Sequence, residues 1–314
     1  MSGVIQRKEL VGASLNLGGA PIDLTDFATT GLRMVAIGPS GSGKTNAGLV
    51  VCEQLANQGW VAVLVDPEHE IRALYGEPVA SPDALVERLA LRDQPIVVVD
   101  APDANAFIPY GEVIAEAAET HRKPIILMMD EGQLFSAPRA GRRRNGASET
   151  TDILNDLAER GRKRALDICL TAHRFTGSIS RTLFGSTNLT LIGQQKDSTA
   201  WTHLSPLFRS HRVAYGDLAM LAPGEFFCLS PRGLDRFRLP LAKAMEGVAI
   251  AARPSRPVFP TNFAQWDRAM ASISTERLAA ITDEVIDFLC AIAGLTPAQM
   301  ASGRTALTDE KGAR

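Results

Sequence analysis

Gly38-Pro39-Ser40-Gly41-Ser42-Gly43-Lys44-Thr45 is the stretch that decides the fold of this chain. It fits the pattern G-x-x-x-x-G-K-[ST], and its flanks supply the strand-loop-helix context that the pattern needs. The preceding Leu32-Arg33-Met34-Val35-Ala36-Ile37 is apolar and β-branched enough for a buried parallel strand, and residues 46–57 read as a helix. Glycines let consecutive backbone N–H groups turn inward as an anion nest. The nest opens onto a helix N-terminus, whose unpaired donors and dipole favour negative charge. In such a loop the lysine reaches the β- and γ-phosphates and the following hydroxyl ligates Mg²⁺. Those roles fall to Lys44 and Thr45. The expected nucleotide-binding set is Gly38, Pro39, Ser40, Gly41, Ser42, Gly43, Lys44 and Thr45, with Asn46 at the start of the helix.

Strand and helix patterns alternate from there. Apolar runs at 60–65, 95–100 and 123–130 read as further strands. Ser81-Pro82-Asp83 reads as a helix start, with a Ser cap, Pro in the first turn and then an acid, and residues 109–119 read as another helix. This alternation predicts an α/β fold with a doubly wound, mostly parallel sheet, which binds ligands at the carboxyl ends of its strands. A helix is expected at 151–164, with Ile153, Leu154, Leu157 and Ala158 on one face, and strands at 167–172, 187–193 and 224–229. Residues 1–31 read as an irregular lead-in or small hairpin, and 32–252 as the core. Pro254, Pro257 and Pro260 mark a linker at 253–262, followed by a helical appendage at 263–302 and a disordered tail at 303–314.

A second landmark lies at the end of the fourth strand, Pro124-Ile125-Ile126-Leu127-Met128-Met129-Asp130-Glu131. A phosphate-loop ATPase needs an acid here to hold Mg²⁺, partly through water, and often a second carboxylate to orient the attacking water. Asp130 takes the first role and Glu131 the general-base role. A carboxylate poised for water favours hydrolysis over phosphoryl transfer to a small acceptor.

Composition narrows the class. An apolar fraction of 45% and a charged fraction of 22% are those of an ordinary globular protein. No run approaches the roughly 18 apolar residues of a membrane span, and residues 1–10 lack the apolar stretch of a signal peptide. A cytoplasmic protein without a membrane partner is expected. Cys52, Cys169, Cys228 and Cys290 are scattered without a C-x-x-C pair, which argues for buried free thiols and against zinc. A net charge of −2 gives no global footprint for nucleic acid. The cations are concentrated locally instead, as in the loop bearing Arg139, Arg142, Arg143 and Arg144.

Several stretches coincide in order: the phosphate loop, Val65-Asp66-Pro67-Glu68-His69-Glu70, Met129-Asp130-Glu131, and the helix end Ala158-Glu159-Arg160-Gly161-Arg162-Lys163-Arg164. Ile168-Cys169-Leu170-Thr171-Ala172-His173-Arg174, Ser178-Ile179-Ser180, Asn188-Leu189-Thr190 and Leu221-Ala222-Pro223-Gly224-Glu225 follow. Together they resemble the HerA/FtsK superfamily of DNA-pumping ATPases, the HerA branch most closely, over roughly residues 30–235. The resemblance implies a RecA-like P-loop NTPase core, ATP and Mg²⁺ as ligands, and a homohexameric ring that drives double-stranded DNA through its pore. It also implies a nuclease or loading partner. Arg162 is implied as the arginine finger that enters the neighbouring subunit's site, with Arg160 as the alternative. At the end of the following strand the family usually has a Gln that senses the γ-phosphate; His173 stands there instead, able to donate a hydrogen bond or to serve structure alone. The arginine loop either faces the pore, where cations track phosphates, or is a solvated loop. A packaging or transfer ATPase of a virus or plasmid, and an ATP switch that moves no DNA, are the alternative functions.

Overall fold

A computed structural model describes residues 7–121, 124–135, 147–174 and 181–247. The expectations for Arg139, Arg142, Arg143 and Arg144, for the linker, the helical appendage, the tail and Cys290 lie outside the described residues.

The lead-in carries β1 (Ser14–Leu15) and β2 (Ile22–Asp23), a two-residue antiparallel pair. Then come β3 (Arg33–Ile37), α1 (Lys44–Asn57), β4 (Val61–Val65), α2 (Arg72–Tyr75), α3 (Pro82–Leu91), β5 (Ile96–Val99), α4 (Ala104–His121) and β6 (Ile125–Met129). The second half has α5 (Ala147–Arg164), β7 (Leu166–Ala172), α6 (Arg181–Gly185), β8 (Leu189–Ile192), α7 (Ser198–Phe208), α8 (Tyr215–Ala219), β9 (Glu225–Ser230) and β10 (Gly233–Arg238). Apart from the lead-in pair, the strands form one sheet in the order β10-β9-β8-β3-β7-β6-β4-β5. From β8 to β5 all pairings are parallel, whereas β9 and β10 close that end antiparallel. The expected α/β class with a mostly parallel sheet is what the chain adopts.

Alternate residues of each central strand enter opposite cores, because side chains in a strand point to opposite faces with period two. In β4, Ala62 and Leu64 join Leu49, Cys52 and Leu55 of α1, while Val61, Val63 and Val65 join Leu85 of α3, Ile114 of α4 and Leu157 of α5. Burial on both faces is why these strands read as unbroken apolar runs. The lead-in seals the α1 face with Leu10, Leu15, Leu24 and Phe27, all fully buried. A third, smaller core joins α7 and α8 to Ile192 and Phe227.

The structure differs from the sequence reading at some boundaries. α4 begins at Ala104 and runs through Pro109. The Asp103 carboxylate accepts the Ala106 N–H as a cap, and fully buried Phe107 packs edge-on against Phe135 at 5.7 Å. Tertiary packing thus recruits a turn that its proline argued against. β10, α2, α6, α7 and α8 were not anticipated: α2, α6 and α8 have only four or five residues, α7 carries Pro206 inside it, and β10 alternates too weakly to read, its one buried side chain being Phe237. Cys52, Cys169 and Cys228 are buried free thiols, their pKa values pushed up by burial, with Cys169 and Cys228 at about 12. No described helix is long and apolar enough to cross a membrane.

Candidate nucleotide-binding and hydrolytic site

The sheet order places β7 between β3 and β6, so the phosphate loop after β3, the acids after β6 and the end of β7 meet at one edge. Gly38 leaves β3 with its N–H donated to Ala172 O at 3.1 Å, and Gly193 N returns a bond to Ile37 O at 2.8 Å. Gly41 and Gly43 have φ of +75° and +93°, the left-handed region that an anion nest uses and that glycine enters without penalty. The back of the loop is held by the Gly224 N–H, which donates to Ser42 O at 2.9 Å. In a trans peptide C=O and N–H point in opposite directions, so anchoring the Ser42 carbonyl on Gly224 aims the Gly43 N–H away from that support. Lys44 then opens α1, its side chain largely buried.

The acids sit within reach of this loop. The Thr45 hydroxyl faces both Asp130 carboxylate oxygens at 3.1 and 3.2 Å, and the Thr171 hydroxyl donates to Asp130 Oδ1 at 2.5 Å. Asp130 is 5% exposed, and burial, reinforced by the charge of Glu131, raises its pKa above the usual carboxylate range. Glu131 adopts φ +51° and ψ +47°, uncommon for a non-glycine residue. Its N–H donates to Thr171 Oγ1 at 3.0 Å. One oxygen of its carboxylate meets Lys44 Nζ at 3.0 Å; the other meets His173 Nε2 at 2.7 Å and accepts from Gln133 Nε2.

Lys44, Thr45, Asp130, Glu131, Gln133 and His173 line a cleft of about 390 Å³ together with Ser40, Gly41, Leu134, Glu68 and Glu70. The last two project from the loop after β4, which Asp66 fastens by accepting the N–H groups of Glu70 (3.0 Å) and Arg72 (2.9 Å). The donor set suits a small hard cation: Thr45 hydroxyl and Asp130 carboxylate are the oxygen ligands that Mg²⁺ takes, with waters and phosphate completing the shell. A lysine and a glycine nest beside them suit the phosphates.

Lys44, Thr45, Asp130, Glu131 and His173 therefore converge, whereas Asn46 does not line the cleft. Its amide is spent on the chain after β10, donating to Pro240 O and accepting from Ala242 N, both at 2.8 Å. Glu53, one face of α1 further on, accepts Lys243 N at 2.6 Å, Ala244 N at 2.9 Å and the Tyr75 hydroxyl at 2.7 Å. Asn46 and Glu53 thus strap residues 239–247 across the phosphate-loop helix. Arg160 and Arg162 fall in the last turns of α5, and their side chains lie outside the described residues. Thr171, Gln133, Glu68 and Glu70 were not singled out from sequence; a lone hydroxyl in an apolar strand was the available signal for Thr171.

No family model and no curated protein matches the chain. Solved structures do. The genome packaging NTPase B204 from Sulfolobus turreted icosahedral virus 2, in complex with ATPγS, superposes with a TM-score of 0.51 at 13% identity, covering 68% of this chain and 99% of that one. B204 of Sulfolobus turreted icosahedral virus, a DNA-packaging ATPase, gives 0.52 at 13% identity over 66% and 97%. The pCW3 conjugation coupling protein TcpA with ATPγS gives 0.50 at 15% identity over 78% and 70%. Strand order, phosphate loop and these superpositions agree that this chain has the RecA-like fold of P-loop ATPases.

Proposed function

We propose that this chain is a divergent HerA/FtsK-type ATPase that hydrolyses ATP with Mg²⁺ to drive double-stranded DNA through a homohexameric ring. The observation that carries the reading is the convergence of Lys44, Thr45, Asp130 and Glu131 in one cleft at the carboxyl edge of the sheet. Lys44 binds the triphosphate, Thr45 and Asp130 hold the metal, and Glu131 accepts a proton from the attacking water. Bound Mg²⁺ supplies neutralisation of phosphate charge. His173 and Gln133 orient the Glu131 carboxylate through their contacts with its second oxygen.

The charges of the cleft support a catalyst completed from outside. Asp130, Glu131, Glu68 and Glu70 face Lys44 and His173 there, before any phosphate is added. An arginine entering from a neighbouring subunit would offset the charge that develops on the γ-phosphate, an effect worth about 10³–10⁵ in rate. Arg162 is the residue proposed for it, with Arg160 in reserve, and Arg139, Arg142, Arg143 and Arg144 are proposed to track DNA phosphates in the pore. The likeness to B204, described as a packaging NTPase, and to TcpA, described as a conjugation coupling protein, favours packaging or transfer of DNA as the use of such a motor.

Light-scattering mass with and without ATP and duplex DNA, measured alongside hydrolysis, tests the proposal. Turnover should rise with duplex DNA and with protein concentration as rings assemble. Glu131→Gln should lose about 10²–10⁴ in turnover, and mixing it with Arg162→Ala subunits should restore part of the activity. Turnover indifferent to both DNA and protein concentration would refute the ring motor and favour an ATP-dependent switch.

A further inference from the structure

We infer that Thr171 is a positioning residue for the hydrolytic centre, a single buried hydroxyl that sets both acids of the cleft at once. The inference rests on the reading of Asp130 as metal-holding and Glu131 as base. A threonine hydroxyl has one proton and two lone pairs. Thr171 gives its proton to Asp130 Oδ1 at 2.5 Å and accepts the Glu131 N–H at 3.0 Å. Its side chain is completely buried, so no water competes for either bond.

The topology explains why this strand does the job. β7 is inserted between the phosphate-loop strand and the acid strand, and its register pairs Met129 with Leu170. One residue further on, Asp130 and Thr171 therefore stand level. The hydroxyl reaches Asp130 from the neighbouring strand, while Thr45 reaches the same carboxylate from the phosphate-loop helix. Two hydroxyls from two different elements thus hold the carboxylate.

The second bond acts on the backbone. Glu131 is held at φ +51°, a conformation that non-glycine residues adopt only when their surroundings impose it. The N–H bond to Thr171 is one such constraint, and the resulting turn is what allows the Glu131 carboxylate to reach Lys44 and His173 at 3.0 and 2.7 Å. Removing the hydroxyl frees Asp130 to rotate and leaves the Glu131 N–H without its partner. Both acids then lose their set positions although neither has been changed.

Thr171→Val keeps the β-branched shape and removes the hydroxyl; Thr171→Ser keeps the hydroxyl. Two readouts are taken on the full chain below its melting temperature: Mn²⁺ affinity in the presence of ATPγS, by electron paramagnetic resonance of free Mn²⁺, and steady-state ATP hydrolysis. Partners that orient a ligating carboxylate are typically worth about 10–100-fold in metal affinity or activity. Thr171→Val should lose that much in Mn²⁺ affinity and in kcat, with KM for ATP within about twofold of wild type, and Thr171→Ser should recover to within about threefold. A purely structural threonine would lower the melting temperature and leave Mn²⁺ affinity unmoved, which would overturn the inference. If Thr171→Val does not fold, Thr171→Cys, with its poor donor, takes its place under the same expectations. A wild type that shows no turnover, with Mn²⁺ affinity still falling in Thr171→Val, would refute the hydrolase reading and with it the Glu131 half of the inference, and support Thr171 as a positioning residue for the metal-holding Asp130 alone. Active wild type with an indistinguishable Thr171→Val would refute the inference alone. A wild type with neither turnover nor metal-dependent ATPγS binding would overturn both.

Discussion

Replacing Asp167 by alanine should cost about 3–5 kcal/mol of stability, the range measured when one partner of a buried ion pair is removed. Asp167 is fully buried as the second residue of β7, and its carboxylate accepts four hydrogen bonds. Arg7 donates two, at 2.7 and 2.9 Å, and the Trp60 indole and the Leu32 N–H donate one each, both at 2.7 Å. Leu32 precedes β3 and Trp60 precedes β4, so one carboxylate ties the lead-in to the amino ends of three central strands. Alanine leaves a guanidinium only 5% exposed with Glu9, at 2.6 Å, as its remaining counter-charge, and breaks the bonds made by the buried Leu32 N–H and Trp60 indole N–H. Each such orphan costs about 1–3 kcal/mol by itself, but the losses do not add, because all the donors share one acceptor group. Against a typical total stability of roughly 5–15 kcal/mol, the loss should be visible as a large fall in the urea midpoint at unchanged slope. Arg7→Met combined with Asp167→Leu removes the buried charge pair and should recover only the part of the loss that comes from the guanidinium, since the bonds from Leu32 N–H and Trp60 Nε1–H stay broken. The network lies at the edge of the sheet opposite the cleft, so ATPγS affinity below the melting temperature should stay within about twofold. A loss under about 1 kcal/mol for Asp167→Ala would refute the argument that this carboxylate organises the strand starts.

Two further outcomes are expected. Burial raises the folded-state pKa of Asp130 above the ordinary carboxylate value of the unfolded chain, so the group's contribution to the metal-free protein is fully present below that unfolded value and is lost as pH rises through the folded one. Asp130→Asn should therefore raise the melting temperature at pH 7 in the presence of a chelator, flatten its decline with pH above the ordinary carboxylate range, and abolish metal-dependent nucleotide binding; a lower melting temperature would contradict the sign. Glu53→Ala removes the acceptor of three bonds at a site 2% exposed; it should cost about 1–3 kcal/mol and open residues 239–247 to limited proteolysis, and an unchanged cleavage pattern would show that the strap is held by other contacts.

Much of the core was legible because local chemistry imposed it. A glycine nest at a strand-to-helix turn and an apolar strand ending in two acids are written in consecutive residues. Parallel strands buried on both faces show up as unbroken apolar runs, hence the legibility of β3, β4, β6 and β7. Ser81 illustrates the same point at a helix start: its side chain does accept the Ala84 N–H, at 3.2 Å. Asn46 shows the limit. Its place after the phosphate loop suggested the nucleotide, yet its amide serves Pro240 and Ala242, nearly two hundred positions away. No local pattern carries that information.

Short-range signals specify an α/β sheet around a phosphate loop, with Asp130 and Glu131 at the end of an apolar strand, because each stands within a few residues of its cause. The threading of β7 between β3 and β6 comes from long-range packing instead. That insertion sets Thr171 level with Asp130 and brings His173 against Glu131. Strand order is settled by how whole faces pack and by which helices cover them, and that choice joins residues some forty positions apart through bonds that neither neighbourhood encodes.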